Sequence, residues 1–574
     1  MRIPLSALLS MTVMLSGSTA MAQPQPSPLP PLPPSPAPAA PPEASAPAVP
    51  PEASAPPAAP EVSAPPAAPG VSGPVAAPGA SGPVAVPGAS GPVGVAPVTA
   101  GWHGSFFLRD AGDNFRIYPK GRIQLDFQSF FGPGVSEVPA AAGGNALKSR
   151  LFVRRVNFEV ADEFLKRWTF YAGLEIGQPV ANANGTAQQF AARAGETPTG
   201  STARFAPVQT SSVSAFPDDV WINFTAAPWL QFQAGQFLTP FSMENRTSNK
   251  NIPFMERHIA IRNLTSPSSQ EIGLMVWGEI ADKKLNYEVG VFAGENANRP
   301  QLDGDVDFIG RVFAKPLLGC DCALPNAQIG VSARHGRRDQ EYIGYDYPAL
   351  ATGYGVRLWS PSYTDSLGRP IHVIPSGAQN SIGGELRLPV SVLDLRGEAY
   401  YVANNTREAV EGYQLTNTER LGQFRGLGWY AQISAWALGD AFVSPDPGMQ
   451  RPTRIDFSKA PSAPKRGLEV IASMGGVSTS YDGASRGEGS VYDANTPGNP
   501  SGTAGKDITI YEYGLGLSYW HSTYVRATLS YILYHTPGSG SPDNLARVPG
   551  NGVAETAQSA HVLHELGTRL MVAF

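Results

Sequence analysis

The sequence predicts an all-β fold: a transmembrane antiparallel β-barrel of about sixteen strands, preceded by a disordered Pro/Ala-rich N-terminal arm. Three observations predict it. After Trp102, segments of about ten residues alternate apolar and polar side chains and stop at turn residues, as a strand does when one face meets lipid and the other water. Charged residues make up only 16% of the chain, against roughly 25% in soluble domains, yet no run of about 20 apolar residues spans a bilayer as a helix. Links between the segments are short on one side and long on the other, the pattern of bacterial outer-membrane barrels.

The chain begins with a secretory signal. Arg2 is its basic start, Leu5 to Leu15 its apolar core and Ala20-Met21-Ala22 its small-residue cleavage site, which implies export. Residues 1–22 are therefore assigned to a signal peptide. Residues 23–100 form a Pro/Ala/Gly-rich low-complexity tether with nine-residue repeats such as PPEASAPAV from Pro41 and APGVSGPVA from Ala68. Proline at this density blocks helix and central strand, and nothing in the tract is large enough to build a core. A polyproline-II-like arm of this length reaches on the order of 200 Å; it reads first as a solvated low-complexity arm, and alternatively as a periplasmic spacer that meets the peptidoglycan of the cell wall or a partner protein.

Residues 101–574 form the barrel domain. Gly121 to Phe131 sets Ile123, Leu125 and Phe127 against Arg122, Gln124 and Asp126. Val220 and Ile222 alternate with Asp219 and Asn223, and Leu395 with Asp394, Arg396 and Glu398. Tyr513, Leu515, Leu517 and Tyr519 alternate with Glu512 and Ser518, and the last strand, His561 to Phe574, closes the chain on an apolar face ending in Phe574. Trp221, Trp229, Trp429, Tyr519, Trp520 and Tyr534 lie near strand ends and are expected to form an aromatic girdle. Short links such as Ala227–Trp229, Asp282–Lys284 and His521–Thr523 interleave with long ones: Asn182–Phe216, Gly336–Gln379, Ser480–Lys506 and Gly538–Ala560. The link Gly439–Arg466 is long on the short-turn side. It is either a large periplasmic turn or a concealed hairpin, which would raise the count to about eighteen strands.

Other chemistry is excluded on local grounds. The net charge is −5 with no long basic run, so no nucleic-acid partner is expected. Gly483-Ala484-Ser485-Arg486-Gly487 fits G-x-S-x-G but lies in a glycine-rich loop rather than a strand-to-helix turn. His564-Glu565 lacks the second histidine of a zinc motif. Cys320 and Cys322 are the two cysteines; a local disulfide suits an oxidising compartment. No catalytic residue, cofactor or metal is expected, and the chain is read as no enzyme. A lipid hydrolase would need a Ser/His/Asp set on a lipid-facing strand, which the sequence does not offer.

The stretch Leu230–Asn263, LQFQAGQFLTPFSMENRTSNKNIPFMERHIAIRN, begins as a strand and ends in a polar segment. Phe241–Arg262 carries Arg246, Lys250, Arg257 and Arg262 against Glu244 and Glu256, with His258 beside them. Alternation adds the wall cations Arg122, Arg155, Arg311 and Lys315 to the candidates, with Arg334, Arg387, Arg396, Arg526 and Arg569. The barrel as a whole is not basic: residues 101–574 hold 41 basic and 44 acidic side chains, because Arg2, Glu43, Glu52 and Glu61 lie outside it.

Four stretches resemble the phosphate-selective porin O/P family of outer-membrane channels. They are GRIQLDFQSFF from Gly121, RRVNFEVADEFLKRWTFYAGLEIG from Arg154, DDVWINFTAAPWLQFQAGQFLTPFSMEN…FMER from Asp218 and YGLGLSYWHSTYVRATLSYILY from Tyr513. The resemblance implies a homotrimer of water-filled barrels in the outer-membrane lipid. It also implies a third extracellular loop that folds inward and narrows the pore, with arginines and lysines that pass phosphate. Such cations replace the hydration a small anion loses in a narrow tube. The expected function is passive diffusion of small hydrophilic solutes, with selectivity for anions such as phosphate and polyphosphate. The alternatives are a general non-selective porin and a structural barrel tethered to the cell wall.

Overall fold

The computed structural model describes residues 99–132, 149–177, 214–264, 269–299, 301, 304–338, 350–354, 357–359, 363–364, 370–410, 421–440, 443–452, 457, 466–481, 507–537 and 561–574. The chain divides into two units, Met1–Ser90 and Gly91–Phe574, and all of these residues belong to the second. The signal peptide, almost all of the tether and the G-x-S-x-G segment lie outside the described residues.

The short strands β1 (Thr99–Trp102) and β2 (Phe106–Arg109) form a hairpin that touches the start of β3 (Phe115–Phe131). Then follow β4 (Arg150–Phe164), β5 (Trp168–Gly177), β6 (Ser214–Ala227) and β7 (Leu230–Leu238). Two short helices, α1 (Met243–Arg246) and α2 (Ile259–Leu264), precede β8 (Gln270–Ile280), β9 (Leu285–Phe292), β10 (Asp307–Ala314) and β11 (Gln328–Arg338). In the next connection β12 (Leu350–Ala351) pairs with β13 (Arg357–Trp359), and β14 (Tyr363–Thr364) pairs with the start of β15 (Pro370–Val390). The chain ends with β16 (Leu393–Val410), β17 (Leu421–Asp440), β18 (Arg466–Tyr481), β19 (Asp507–Trp520), β20 (Val525–His535) and β21 (Val562–Ala573).

The main sheet holds nineteen strands. Three of them, β1, β2 and β14, are short additions, and the other sixteen form the wall. Each pairs antiparallel with its sequence neighbour, β11 pairing with β15, and β21 pairs back onto β3 from His564↔Phe131 to Ala573↔Arg122. Closure leaves no free edge, as a sheet in lipid requires. At the seam Phe574 N–H donates to the Gly121 carbonyl at 2.9 Å and Gly121 N–H to the Phe574 carbonyl at 3.0 Å.

β17 pairs directly with β18 down to Asp440↔Arg466, so no further wall strands stand between them and the wall count is sixteen. Two of the expected long loops are shorter than their sequence suggests. β6 already begins at Ser214, and β11 and β15 extend to Arg338 and from Pro370, because pairing carries the ladders beyond the apolar alternation.

Exposure along the strands is the reverse of a soluble sheet. Ile123, Leu125 and Phe127 are 49%, 38% and 37% exposed, while Gln124, Asp126 and Gln128 between them are fully buried. The apolar face points out all round the wall, with Leu515, Leu529 and Leu570 on it. A soluble sandwich would bury that face against a second sheet. Here it is the outer band of a barrel in lipid, and the polar face is the inner one.

The expected aromatic girdle is corrected in part. Trp229 and Tyr519 are exposed, but Trp221, Trp520 and Tyr534 are buried. Their strand parity turns them to the polar face, where Trp221 stacks on Tyr171, Trp520 Nε1–H donates to Glu469 at 3.0 Å, and the Tyr534 hydroxyl donates to Glu565. Proximity to a strand end does not by itself turn a ring toward lipid.

Candidate functional site

The ladder of β7 stops at Leu238 because Thr239-Pro240 follows, and proline cannot donate to a ladder. The chain then turns into α1. The Ser242 hydroxyl accepts from Asn245 N–H at 3.0 Å as its cap, satisfying a donor that a helix start leaves free. The Glu398 carboxylate on β16 accepts from the N–H groups of Met243 and Glu244, each at 2.9 Å. At the other end Arg257 donates to the carbonyls of Glu244, Asn245 and Thr247.

A second anchor is Glu256. It accepts from Arg154 and Arg155, each at 3.1 Å, and from Arg569 at 2.7 Å. Arg569 also makes a two-armed bond to Asp126, both at 2.7 Å, and donates to the Met255 carbonyl. Burial alone would raise the Glu256 carboxyl, but the three guanidinium groups outweigh it and hold the carboxyl well below the usual carboxylate range. Adjacent arginines of one strand reach the same acid because the β3–β4 register passes from Gln124↔Arg155 to Leu125↔Val153. Arg154 is the extra residue of a β-bulge, and a bulge re-aims side chains.

From Phe254 to Leu264 the segment seats on glycines. A Cβ at Gly426 or Gly428 would lie 2.8 Å from Leu264, and one at Gly514 2.9 Å from Phe254. Ile259, Ala260, Ile261 and Leu264 are buried there. His258 stacks on Tyr430 and faces Glu512 at 3.3 Å; burial pushes its imidazole down to about 3, so it adds no cation at neutral pH. Gly428→Val would overpack this seat at a cost of about 1–3 kcal/mol. The expected result is a higher single-channel conductance in planar bilayers; an unchanged value would show that α2 keeps its place.

A second segment, 443–452, meets the first. It belongs to the long link between β17 and β18. Thr247 and Met449 form an antiparallel bridge, Gln450 N–H donates to the Arg246 carbonyl at 2.8 Å and Ser248 N–H to the Gly448 carbonyl at 3.1 Å. Arg451 pairs with Glu288 at 3.1 Å, and Arg387 and Lys315 hold the carbonyls of Ser444 and Pro445.

The eight sequence-predicted cations divide into two groups. Five are engaged. Arg246 pairs with Glu288 at 3.3 Å and donates to the Leu238 carbonyl. Arg155 pairs with Glu256, and Arg311 pairs with Glu385 at 2.7 Å. Lys315 stands 3.9 Å from Asp446, and Arg257 is bound to backbone carbonyls. The other three, Arg122, Lys250 and Arg262, have no carboxylate within 4 Å among the described residues. Arg122 donates from Nε to Asn157 at 3.2 Å. Arg262 is exposed on α2.

Arg122 and Lys250 line one polar cavity of about 220 Å³, together with Lys120. Lys120 was not among the candidates, although continuing the alternation two residues back from Arg122 reaches it. Arg154 and Arg451 were also missed: the first because a bulge breaks the parity, the second because it lies in an irregular link. Cys320 and Cys322 form a disulfide in the turn between β10 and β11. His564 is bound to the Tyr531 hydroxyl at 2.7 Å and stacks on Phe131. Among the described residues no group of three or more His, Cys, Asp or Glu side chains is placed to hold a metal ion.

Residues 119–311 match the family model described as phosphate-selective porin O and P. No curated protein matches the chain. Solved structures similar to it include the anion-selective porin from Comamonas acidovorans, at 9% identity and a TM-score of 0.40, covering 80% of this chain and 100% of that one. The outer-membrane channel DcaP of Acinetobacter baumannii matches at 9% identity and 0.41, over 81% and 99%. A loop-deletion mutant of OmpT, an outer-membrane protein of Vibrio cholerae, matches at 8% and 0.42, over 80% and 100%. At such values these likenesses assign no residue a role. Residues 119–311 of this barrel, from β3 into β10, carry the match to the family model described as phosphate-selective porin O and P.

Proposed function

We propose that this porin is a passive channel for small hydrophilic solutes with a preference for anions, phosphate and polyphosphate among them. In this reading the segment Phe241–Leu264 is the inward-folded third loop that narrows the pore. Its bonds to Glu398 on β16, Glu288 on β9, Asp126-bound Arg569 on β21 and the Arg526 side chain on β20, which donates to the Ile252 carbonyl, support it, since inner-face residues on distant strands meet at one short segment. The observation that carries anion preference is that Lys120, Arg122 and Lys250 line one cavity with no carboxylate within 4 Å among the described residues. Cations left unneutralised in a confined space attract anions, and several weak sites let an ion leave again. By family resemblance the protein is a homotrimer; by its own sequence it is exported through cleavage of residues 1–22 and carries a proline-rich arm that reaches toward peptidoglycan.

The test is the reversal potential in planar bilayers under a salt gradient, with phosphate as competitor. Anion selectivity and a chloride current lowered by phosphate are expected. Lys250→Gln should reduce the anion-to-cation permeability ratio about threefold, the effect of one solvent-screened charge. Arg246→Gln should change the ratio less, because Glu288 already balances it. A second reading, a general non-selective porin, is favoured by the carboxylates that hold Arg155, Arg246 and Arg311; a ratio near one would decide for it, and cation selectivity would overturn both.

A further inference from the structure

The cavity lined by Lys120, Arg122 and Lys250, with Arg257 and Arg451 also on its wall, holds acids that have no salt bridge among the described residues. Asp218 on β6 lines it, and its carboxylate accepts from the side-chain amides of Asn157 at 3.2 Å and Gln270 at 2.6 Å. Among the described residues no lysine or arginine stands within 4 Å of it. Lys120 and Arg122 belong to β3, and Lys250 to the segment after β7. β3 and β6 are three strand spacings of about 4.8 Å apart, and Asn157 on β4 stands between them, accepting from Arg122 and donating to Asp218. Glu159 on β4 lies between, opposite Lys120 in the ladder, and it too has no salt bridge within 4 Å among the described residues. Elsewhere on the inner face opposite charges close into pairs at 2.6–2.9 Å, as at Arg311–Glu385, Arg334–Asp307 and Arg387–Asp394. In this cavity they are held apart. Trp221, stacked on Tyr171 with centroids 5.4 Å apart, lines the cavity together with Asp218.

Separated, unneutralised charges of both signs are complementary to a solute that carries both. We propose that this cavity is a transit site for small zwitterions of the α-amino-acid class. The solute's carboxylate lies at Lys250, Lys120 and Arg122, and its ammonium group at Asp218. Each end then gains a charge-assisted hydrogen bond, while the net charge of the filled cavity does not change. This rests on the channel reading above and narrows its solute: the cations choose which end of the molecule they hold, and the acid adds a second requirement that a simple anion does not meet.

The experiment is swelling of proteoliposomes carrying the full-length protein, in isosmotic serine, glycerate or erythritol, which are a zwitterion, an anion and a neutral solute of similar size. Serine is expected to enter about threefold faster than glycerate or erythritol, the size of one screened ion pair. Lys250→Gln and Asp218→Asn should each lower the serine-to-erythritol ratio, and Asp218→Asn alone should raise the glycerate-to-serine ratio. Glycerate entering faster than serine in the parent protein, or variants that leave the serine ratio unchanged, would overturn the zwitterion site and leave the anion channel standing. If none of the three solutes enters, the channel reading itself falls. Erythritol entry in each variant reports that the barrel has folded and inserted.

Discussion

Glu256→Ala is expected to release the segment between β7 and β8 from the wall and to raise single-channel conductance about twofold or more by widening the pore. The carboxylate balances Arg154, Arg155 and Arg569 at once. Removing it leaves three buried guanidinium groups facing one another, with Asp126 and Glu175 as the remaining acids. Breaking a buried ion pair from one side costs about 3–5 kcal/mol, enough to loosen the stretch around Glu256 from β4 and β21. The wall itself should survive, since its ladders do not pass through Glu256. Acid offers a second route to the same state. Because the folded carboxyl lies below the ordinary range, its stabilisation is complete above that range and is lost as pH falls through the lower folded value. The parent channel should therefore widen only in strong acid, whereas Glu256→Ala is open at neutral pH. A variant conductance equal to the parent's at neutral pH would show that Glu256 is no anchor.

Excising residues 443–452 and rejoining the flanks through a short Gly/Ser link should have the other large effect. It removes the bridge at Thr247↔Met449, the bond from Gln450 to the Arg246 carbonyl and the Arg451–Glu288 pair. Glu288 keeps Arg246 and Arg311, so no acid is stranded. Lys315 and Arg387 lose the carbonyls of Pro445 and Ser444 and gain water instead. Conductance is expected to rise about twofold, through a larger open cross-section, with a weaker change in ion selectivity than Lys250→Gln gives. A conductance that stays at the parent value would show that this segment leaves the path clear.

Much of the fold was legible from alternation. The lipid face of β3, β19 and β21 and the inner placement of Arg122, Arg311, Glu398 and Arg569 follow from a period of two, which backbone geometry imposes on every strand. The strand count followed from turns and loop lengths. Less of the site was legible. Arg155 and Arg311 lie on the buried polar face, yet their carboxylate partners come from distant points in the chain, Glu256 and Glu385. No local pattern encodes a contact over 101 or 74 residues. Nothing local to Gly428 and Gly514 marks them as the seat of Leu264 and Phe254, which come from a distant part of the chain.

By itself the sequence determined the barrel, its two faces, its approximate strand number and the segment where basic side chains gather, because each depends on local periodicity and on what lipid tolerates. The tertiary structure alone decided which of those charges remain unpaired. Whether a guanidinium or ammonium group attracts a solute depends on whether a carboxylate from another strand stands within about 4 Å. That distance is set by bulges, by glycine seats and by the meeting of two irregular segments inside the described part of the chain. Arg246 and Arg257, prominent in the sequence, are engaged by Glu288 and by backbone carbonyls. Lys250 and Arg122, no more prominent, face a cavity that also holds Glu159 and Asp218, yet among the described residues neither has a carboxylate within 4 Å.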